Sequence, residues 1–189
     1  MASVPPAAQQ VPACAHATGA LTLGAPRPAS DTASIADRLL VCEVIARYCW
    51  GYDERREAAL AHCFTDDAVW EGDVLGRTRI GPFEGRAQIM KWLTNFWRYQ
   101  HDQRRHMLVN AIVEEQAADS ATTLSYLQLL GSNGKQVALE TTGFYRVRYQ
   151  RTAQGWQIGH LFAGFDAPFW PGDIETMSAK ARARHGVAT

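Results

Sequence analysis

One imidazole and one carboxylate are the groups in this chain best suited to work as a pair. His106 lies within Arg104-Arg105-His106-Met107-Leu108-Val109-Asn110, a run with strand character, and Asp53 follows Tyr52 at the end of a helical pattern. A carboxylate that accepts one ring N–H fixes the imidazole tautomer and turns the other nitrogen into a general base. Tyr48 and Tyr52 precede Asp53, and their phenols suit hydrogen-bond donation to a carbonyl or a departing hydroxyl. Such a set removes a proton from carbon beside an activating carbonyl or at a benzylic centre. The ordinary alternatives are a core histidine bonded to a backbone carbonyl and tyrosines that simply pack.

The elements that must position these groups can be read from periodicity. Val41, Val44, Ile45, Tyr48 and Tyr52 recur at three- and four-residue steps and predict a helix from about Ser34 to Tyr52. Ser34-Ile35-Ala36-Asp37 has capping-box spacing for its start. Asp53 then lies beside the buried stripe, although a solvated helix end remains the ordinary place for such a residue and the helix dipole disfavours it there. A second helix fits Glu57 to Phe64, a turn fits Thr65-Asp66-Asp67, and a brief strand fits Ala68-Val69-Trp70. Gly81-Pro82-Phe83-Glu84-Gly85-Arg86 reads as a loop into a third helix carrying Ile89, Leu93, Phe96 and Trp97. Strands follow over about Arg104 to Glu115, Thr122 to Leu130, Gln136 to Gln150 and Gly155 to Phe165, with turns at Ser132 to Lys135 and Thr152 to Gly155. Helices first and strands later describe an α+β domain.

Alternation places Asn110 on the face of His106, where it is a candidate for a substrate oxygen, and places His160 with Trp156 and Ile158 as a second candidate. Tyr126 and Gln128 are polar candidates on the next strand, and Trp70 heads a set of large aromatics that could wall an apolar pocket. Packing is the competing role for each. His101, Asp102, Arg104 and Arg105 lack the spacing of a metal-ligand set, so no metal is expected.

Composition bounds the function class. The chain has 189 residues, is 47% hydrophobic and carries a formal net charge of zero, enough for one domain with its own core and without a nucleic-acid binder's electrostatic footprint. Cys14, Cys42, Cys49 and Cys63 show no Cys-x-x-Cys spacing and read as small apolar residues in a reducing compartment, so a cytoplasmic location is expected. Residues 1–33 form an Ala- and Pro-rich segment that reads as a disordered tail, 34–170 as the folded domain, and 171–189 as an extension for which a helix is one reading. No apolar stretch approaches the roughly 20 residues of a membrane span.

The order helix, Tyr52-Asp53, short helix, Thr65-Asp66-Asp67-Ala68-Val69-Trp70, Gly81-Pro82-Phe83-Glu84-Gly85-Arg86, long helix and four strands resembles the SnoaL-like branch of the nuclear transport factor 2-like superfamily, over roughly Ile35 to Phe169. Gly51-Tyr52-Asp53-Glu54-Arg55-Arg56 resembles the active-site segment of its scytalone dehydratase members. Asp53 and His106 resemble the acid and base of its dehydrochlorinase and bile-acid dehydratase members, and the Tyr48-to-Asp53 spacing resembles the latter. The resemblance implies a cone-shaped curved mixed sheet wrapped over N-terminal helices, a cystatin-like α+β barrel. It also implies a cofactor-independent lyase of dehydratase type, with loss of formaldehyde or halide as variants of the same step. The expected substrate is small and hydrophobic: aromatic, alicyclic or steroid-like. The resemblance leaves open an isomerase or cyclase of polyketide- or steroid-like substrates, and a non-catalytic module like the small subunit of aromatic-ring dioxygenases. Apolar residues on both faces of the sheet predict a homo-oligomer, for which the resemblance implies a trimer, and the neutral charge and absence of a long apolar stretch lead to no expected nucleic-acid or membrane partner. The strand Ser125-Tyr126-Leu127-Gln128 departs from the scytalone dehydratase pattern, which expects a second histidine there.

Overall fold

A computed structural model describes residues 25–26, 31–76 and 78–168. The expected extension over 171–189 and nearly all of the expected tail lie outside the described residues. Helix α1 (Thr32–Asp53) starts slightly earlier than its stripe implies, because Asp31 is the N-cap: its carboxylate accepts from Ser34 N–H at 2.7 Å, and the Ser34 hydroxyl accepts from Asp31 N–H. The capping box is therefore Asp31–Ser34, not Ser34–Asp37. Asp37 is committed elsewhere, accepting from the Trp156 indole at 3.1 Å and pairing with Arg151. Val41, Ile45, Tyr48, Cys49 and Tyr52 form the buried stripe.

Helix α2 (Glu57–His62) stops short of Phe64, which opens strand β1 (Phe64–Val74). Thr65, Asp66 and Asp67 do not form a free turn; they lie in an irregular stretch of β1 where its pairing shifts register. Gly81–Glu84, expected in a loop, belongs to strand β2 (Thr78–Glu84), which pairs with β1. Pro82 hid this strand, yet an edge strand tolerates proline because one side has no ladder to complete. Helix α3 (Arg86–Phe96) follows, then β3 (Gln103–Gln116), β4 (Ser120–Ser132), β5 (Val137–Thr152) and β6 (Gly155–Phe165).

These strands form one six-stranded sheet in the order β2-β1-β6-β5-β4-β3. The β1–β6 pair is parallel and every other neighbouring pair antiparallel, so the sheet is mixed, as expected. It curves around the helices without closing. Its inner face carries Trp70, Leu127, Tyr145, Val147, Ile158 and Leu161, which pack with the α1 stripe in a single core. Among the described residues no helix is long and apolar enough to cross a membrane. The free cysteines Cys49 and Cys63 are buried in that core, and burial raises the Cys63 thiol to about 11, consistent with an inert apolar role.

Curvature requires close backbone approach where β5 meets β6. A methyl group added at Gly143 would fall 2.0 Å from the Gly164 carbonyl oxygen. Gly143→Ala is expected to cost about 1–3 kcal/mol through overpacking, read as a lowered midpoint in urea unfolding.

Candidate active site

The end of α1 and the first half of β3 meet at one carboxylate. Asp53 Oδ2 accepts the backbone N–H of His106 at 2.8 Å, and Asp53 Oδ1 lies 2.6 Å from His106 Nδ1. An ionised carboxylate can only accept, so the short contact assigns a ring proton to Nδ1; in the neutral ring Nε2 then carries the lone pair. Both side chains are withdrawn from water, at 9% and 6% relative exposure for His106 and Asp53. Dipole repulsion at the helix end is offset by these two donors. The junction is stitched further by Arg105 to Glu54 at 2.7 Å and by Gln103, whose amide donates to the Asp53 carbonyl at 3.0 Å.

The phenols take different roles. Tyr48 is fully buried, and its hydroxyl accepts from the Trp70 indole at 3.2 Å and is also hydrogen bonded to Tyr145. Tyr52 places its ring edge against His106, centroid to centroid 5.2 Å at 82°, and its hydroxyl donates to Gln100 Oε1 at 3.0 Å. Burial pushes both phenols well above their ordinary range, so both stay protonated as donors. Trp70 lines the same cavity as Tyr48, Tyr52 and His106.

Aromatic side chains make up much of the rest of the wall, beside Leu93, Leu129 and Gln100. Trp92 lies 4.2 Å from Trp70, stacks on Phe83 at 4.5 Å and meets Phe96 edge-on at 5.1 Å. The cavity is partly open to solvent and its free space is about 30 Å³, room for about one water. A larger ligand enters only if an aromatic side chain gives way. Trp92 and Phe96, half-buried on α3, are the wall members least held by the core.

Four other candidates lie away from this cavity. Asn110 is exposed at a β-bulge, with φ of 54°, where the β3–β4 pairing shifts between Val109 and Ile112. The extra residue breaks the alternation that had put Asn110 beside His106. Tyr126 and Gln128 point outward: His106 pairs with Leu129, so the inner face of β4 carries Leu127 and Leu129, and Tyr126 is 58% exposed. His160 is also on the outer face, because the β5–β6 pairing skips Gly159 and reverses the phase set by Trp156 and Ile158. There its Nε2 lies 3.0 Å from Glu71, in a cleft of about 440 Å³ that Arg79, Arg146 and Arg148 also line. Burial lowers its pKa, with Glu71 opposing and Arg148 adding to the shift. That cleft is larger, but it lies across the sheet from the acid-oriented imidazole. Trp50 is exposed, and Phe144 stacks on Phe162 outside the main core. Arg104 pairs with Asp102 at 2.9 Å, and among the described residues no group of three or more acidic, histidine or cysteine side chains is arranged to hold a metal.

Gln100, in the loop before β3, is a cavity-lining polar residue that periodicity could not reveal, since a loop residue belongs to no repeating face.

Residues 33–161 match the family described as SnoaL-like domain. No curated protein sequence matches the chain significantly. Similar solved structures include an NTF2-like protein with a cystatin-like fold from Novosphingobium aromaticivorans, 22% identical at a TM-score of 0.58, covering 80% of this chain and 97% of that one. A candidate aromatic ring hydroxylase from the same organism is 26% identical at a TM-score of 0.58, covering 71% and 92% of the two chains. ActVI-ORFA from Streptomyces coelicolor is 21% identical at a TM-score of 0.58, covering 68% and 97%.

The inward and outward assignments differ in their cost. Asp53→Ala strands the His106 backbone N–H and ring N–H in the interior and is expected to lose about 1–3 kcal/mol, whereas Tyr126→Ala on the outer face should stay within about 0.5 kcal/mol. Urea unfolding of the two variants measures both.

Proposed function

The chain belongs to the SnoaL-like domain family, and from that premise we propose that it is a cofactor-independent lyase of dehydratase type. The substrate class is small and hydrophobic, aromatic, alicyclic or steroid-like, and carries a carbonyl with a leaving hydroxyl on the β carbon. The observation that carries this reading is the 2.6 Å contact between Asp53 Oδ1 and His106 Nδ1 at the edge of an apolar cavity.

In the proposed step His106 Nε2 takes a proton from the carbon next to the carbonyl, and the electron pair moves onto the carbonyl oxygen. The carbonyl then re-forms while the bond from the β carbon to its hydroxyl breaks. The imidazolium returns the proton to the departing oxygen, which leaves as water. Asp53 stabilises the imidazolium while it exists. Tyr48 accepts from Trp70, so its own proton is available to an oxygen in the cavity. Tyr52 instead braces the imidazole edge-on. Proton and leaving group depart from one face of the substrate, because a single imidazole serves both.

Isomerisation begins with the same abstraction and differs in returning the proton to carbon. A ring-hydroxylase module, the idea carried by the 26% identical structure, would have no use for an acid-oriented imidazole. Met107 and Tyr126, at 47% and 58% exposure on the outer sheet face, support assembly of copies into the homo-oligomer, a trimer on the family resemblance.

His106→Ala should abolish turnover in a fold that remains intact, and Asp53→Asn should reduce it about a hundred- to ten-thousandfold. Full activity in either variant would refute the base assignment. Product analysis in heavy water decides the class: net loss of water marks the lyase, and deuterium gained at carbon without loss of mass marks the isomerase.

A further inference from the structure

We infer that the side-chain amide of Gln100 holds the substrate's carbonyl oxygen, a role the proposed step does not assign to it; this rests on the base reading of His106 and extends it. Most of the hydrogen-bonding capacity around the cavity is already taken up. The Trp70 indole N–H is committed to Tyr48. The Tyr52 hydroxyl has one proton, and it is committed to Gln100 Oε1. His106 Nδ1 is committed to Asp53. The Tyr48 hydroxyl accepts from Trp70 and Tyr145 deep against α1, which leaves its own proton as a donor already assigned to the proposed step. What remains at the lining, among the described residues, is an acceptor, His106 Nε2, and three donor groups, the Tyr48 hydroxyl, the Trp92 indole and the Gln100 NH₂; of these only the Gln100 amide presents two N–H donors.

Gln100 is also held for the task. Its backbone N–H donates to the Phe96 carbonyl at 3.1 Å, and its carbonyl accepts from the Arg55 guanidinium. Arg55 reaches it from the turn after α1, where its backbone takes a positive φ of 52°. Tyr52 fixes the amide from the oxygen side, so the nitrogen end is the one left for a ligand. A base for a C–H proton and a neutral donor for the adjacent oxygen are the two requirements of enolisation. The site therefore selects a ketone with a proton on the neighbouring carbon over a hydrocarbon of the same shape.

The probes are acetophenone, which has a carbonyl and exchangeable methyl protons, and ethylbenzene, which matches its shape without the oxygen. The full-length protein is expected to bind acetophenone about tenfold more tightly than ethylbenzene, the worth of one hydrogen bond in such a site. Gln100→Leu and the near-isosteric Gln100→Glu should each erase that preference by weakening acetophenone alone. A preference that persists in both variants, an equal loss for both probes, or no preference in the unmodified protein would overturn the assignment. The base reading has its own readout in the same samples, exchange of the acetophenone methyl protons in heavy water followed by NMR. His106→Ala should stop the exchange and keep the carbonyl preference. If the unmodified protein exchanges no faster than His106→Ala while the preference is present, the base reading fails and the role of Gln100 stands.

Discussion

A single carboxylate organises this molecule's candidate chemistry. Asp53 and His106 are 53 residues apart in sequence, and both oxygens of Asp53 are used on His106, one for the main chain and one for the ring. The main-chain bond fixes where β3 docks on the end of α1. The ring bond fixes the tautomer. Because the same group does both, the orientation of the imidazole is inherited from the packing of helix against sheet rather than left to side-chain freedom.

The surroundings follow from the same constraint. An inner sheet face lined by Tyr145, Leu127 and Leu129 keeps water away from the pair, which strengthens charge-assisted hydrogen bonds. The aromatic cluster of Trp70, Trp92, Phe83 and Phe96 fills the volume a ligand would need. Cluster packing of this kind stabilises the ligand-free protein by burying large apolar surfaces and makes admission of a ligand a matter of moving side chains on α3. Polar contacts are then few, so each uncommitted one carries much of the selectivity.

Much of this was legible in the sequence, and the failures have identifiable causes. The α1 stripe and the four later strands follow from periodicity, which set Asp53 beside its helix's buried face but favoured a solvated helix end over an inward carboxylate. What periodicity could not supply was phase across irregularities. One extra residue at Asn110 and another at Gly159 reversed the alternation of β3 and β6, moving Asn110 and His160 to the wrong side of the sheet. For Tyr126 and Gln128 the difficulty was register: both faces of β4 offer apolar residues, and only the pairing of His106 with Leu129 tells which face is inward. Strand β2 was hidden by Gly81 and Pro82, which signal a loop everywhere except at a sheet edge. Gln100 gave no pattern at all, because its position depends on Tyr52 and Arg55 rather than on any repeat.

The claim on which this account depends concerns one proton. Nitrogen-15 NMR of the imidazole of His106 reports directly where it resides. The account predicts a single neutral tautomer with the proton on Nδ1, hydrogen bonded to Asp53, and an unprotonated Nε2 exposed to the cavity. That signature should vanish in Asp53→Asn. A neutral ring carrying its proton on Nε2, or one averaging between the two tautomers, would contradict it.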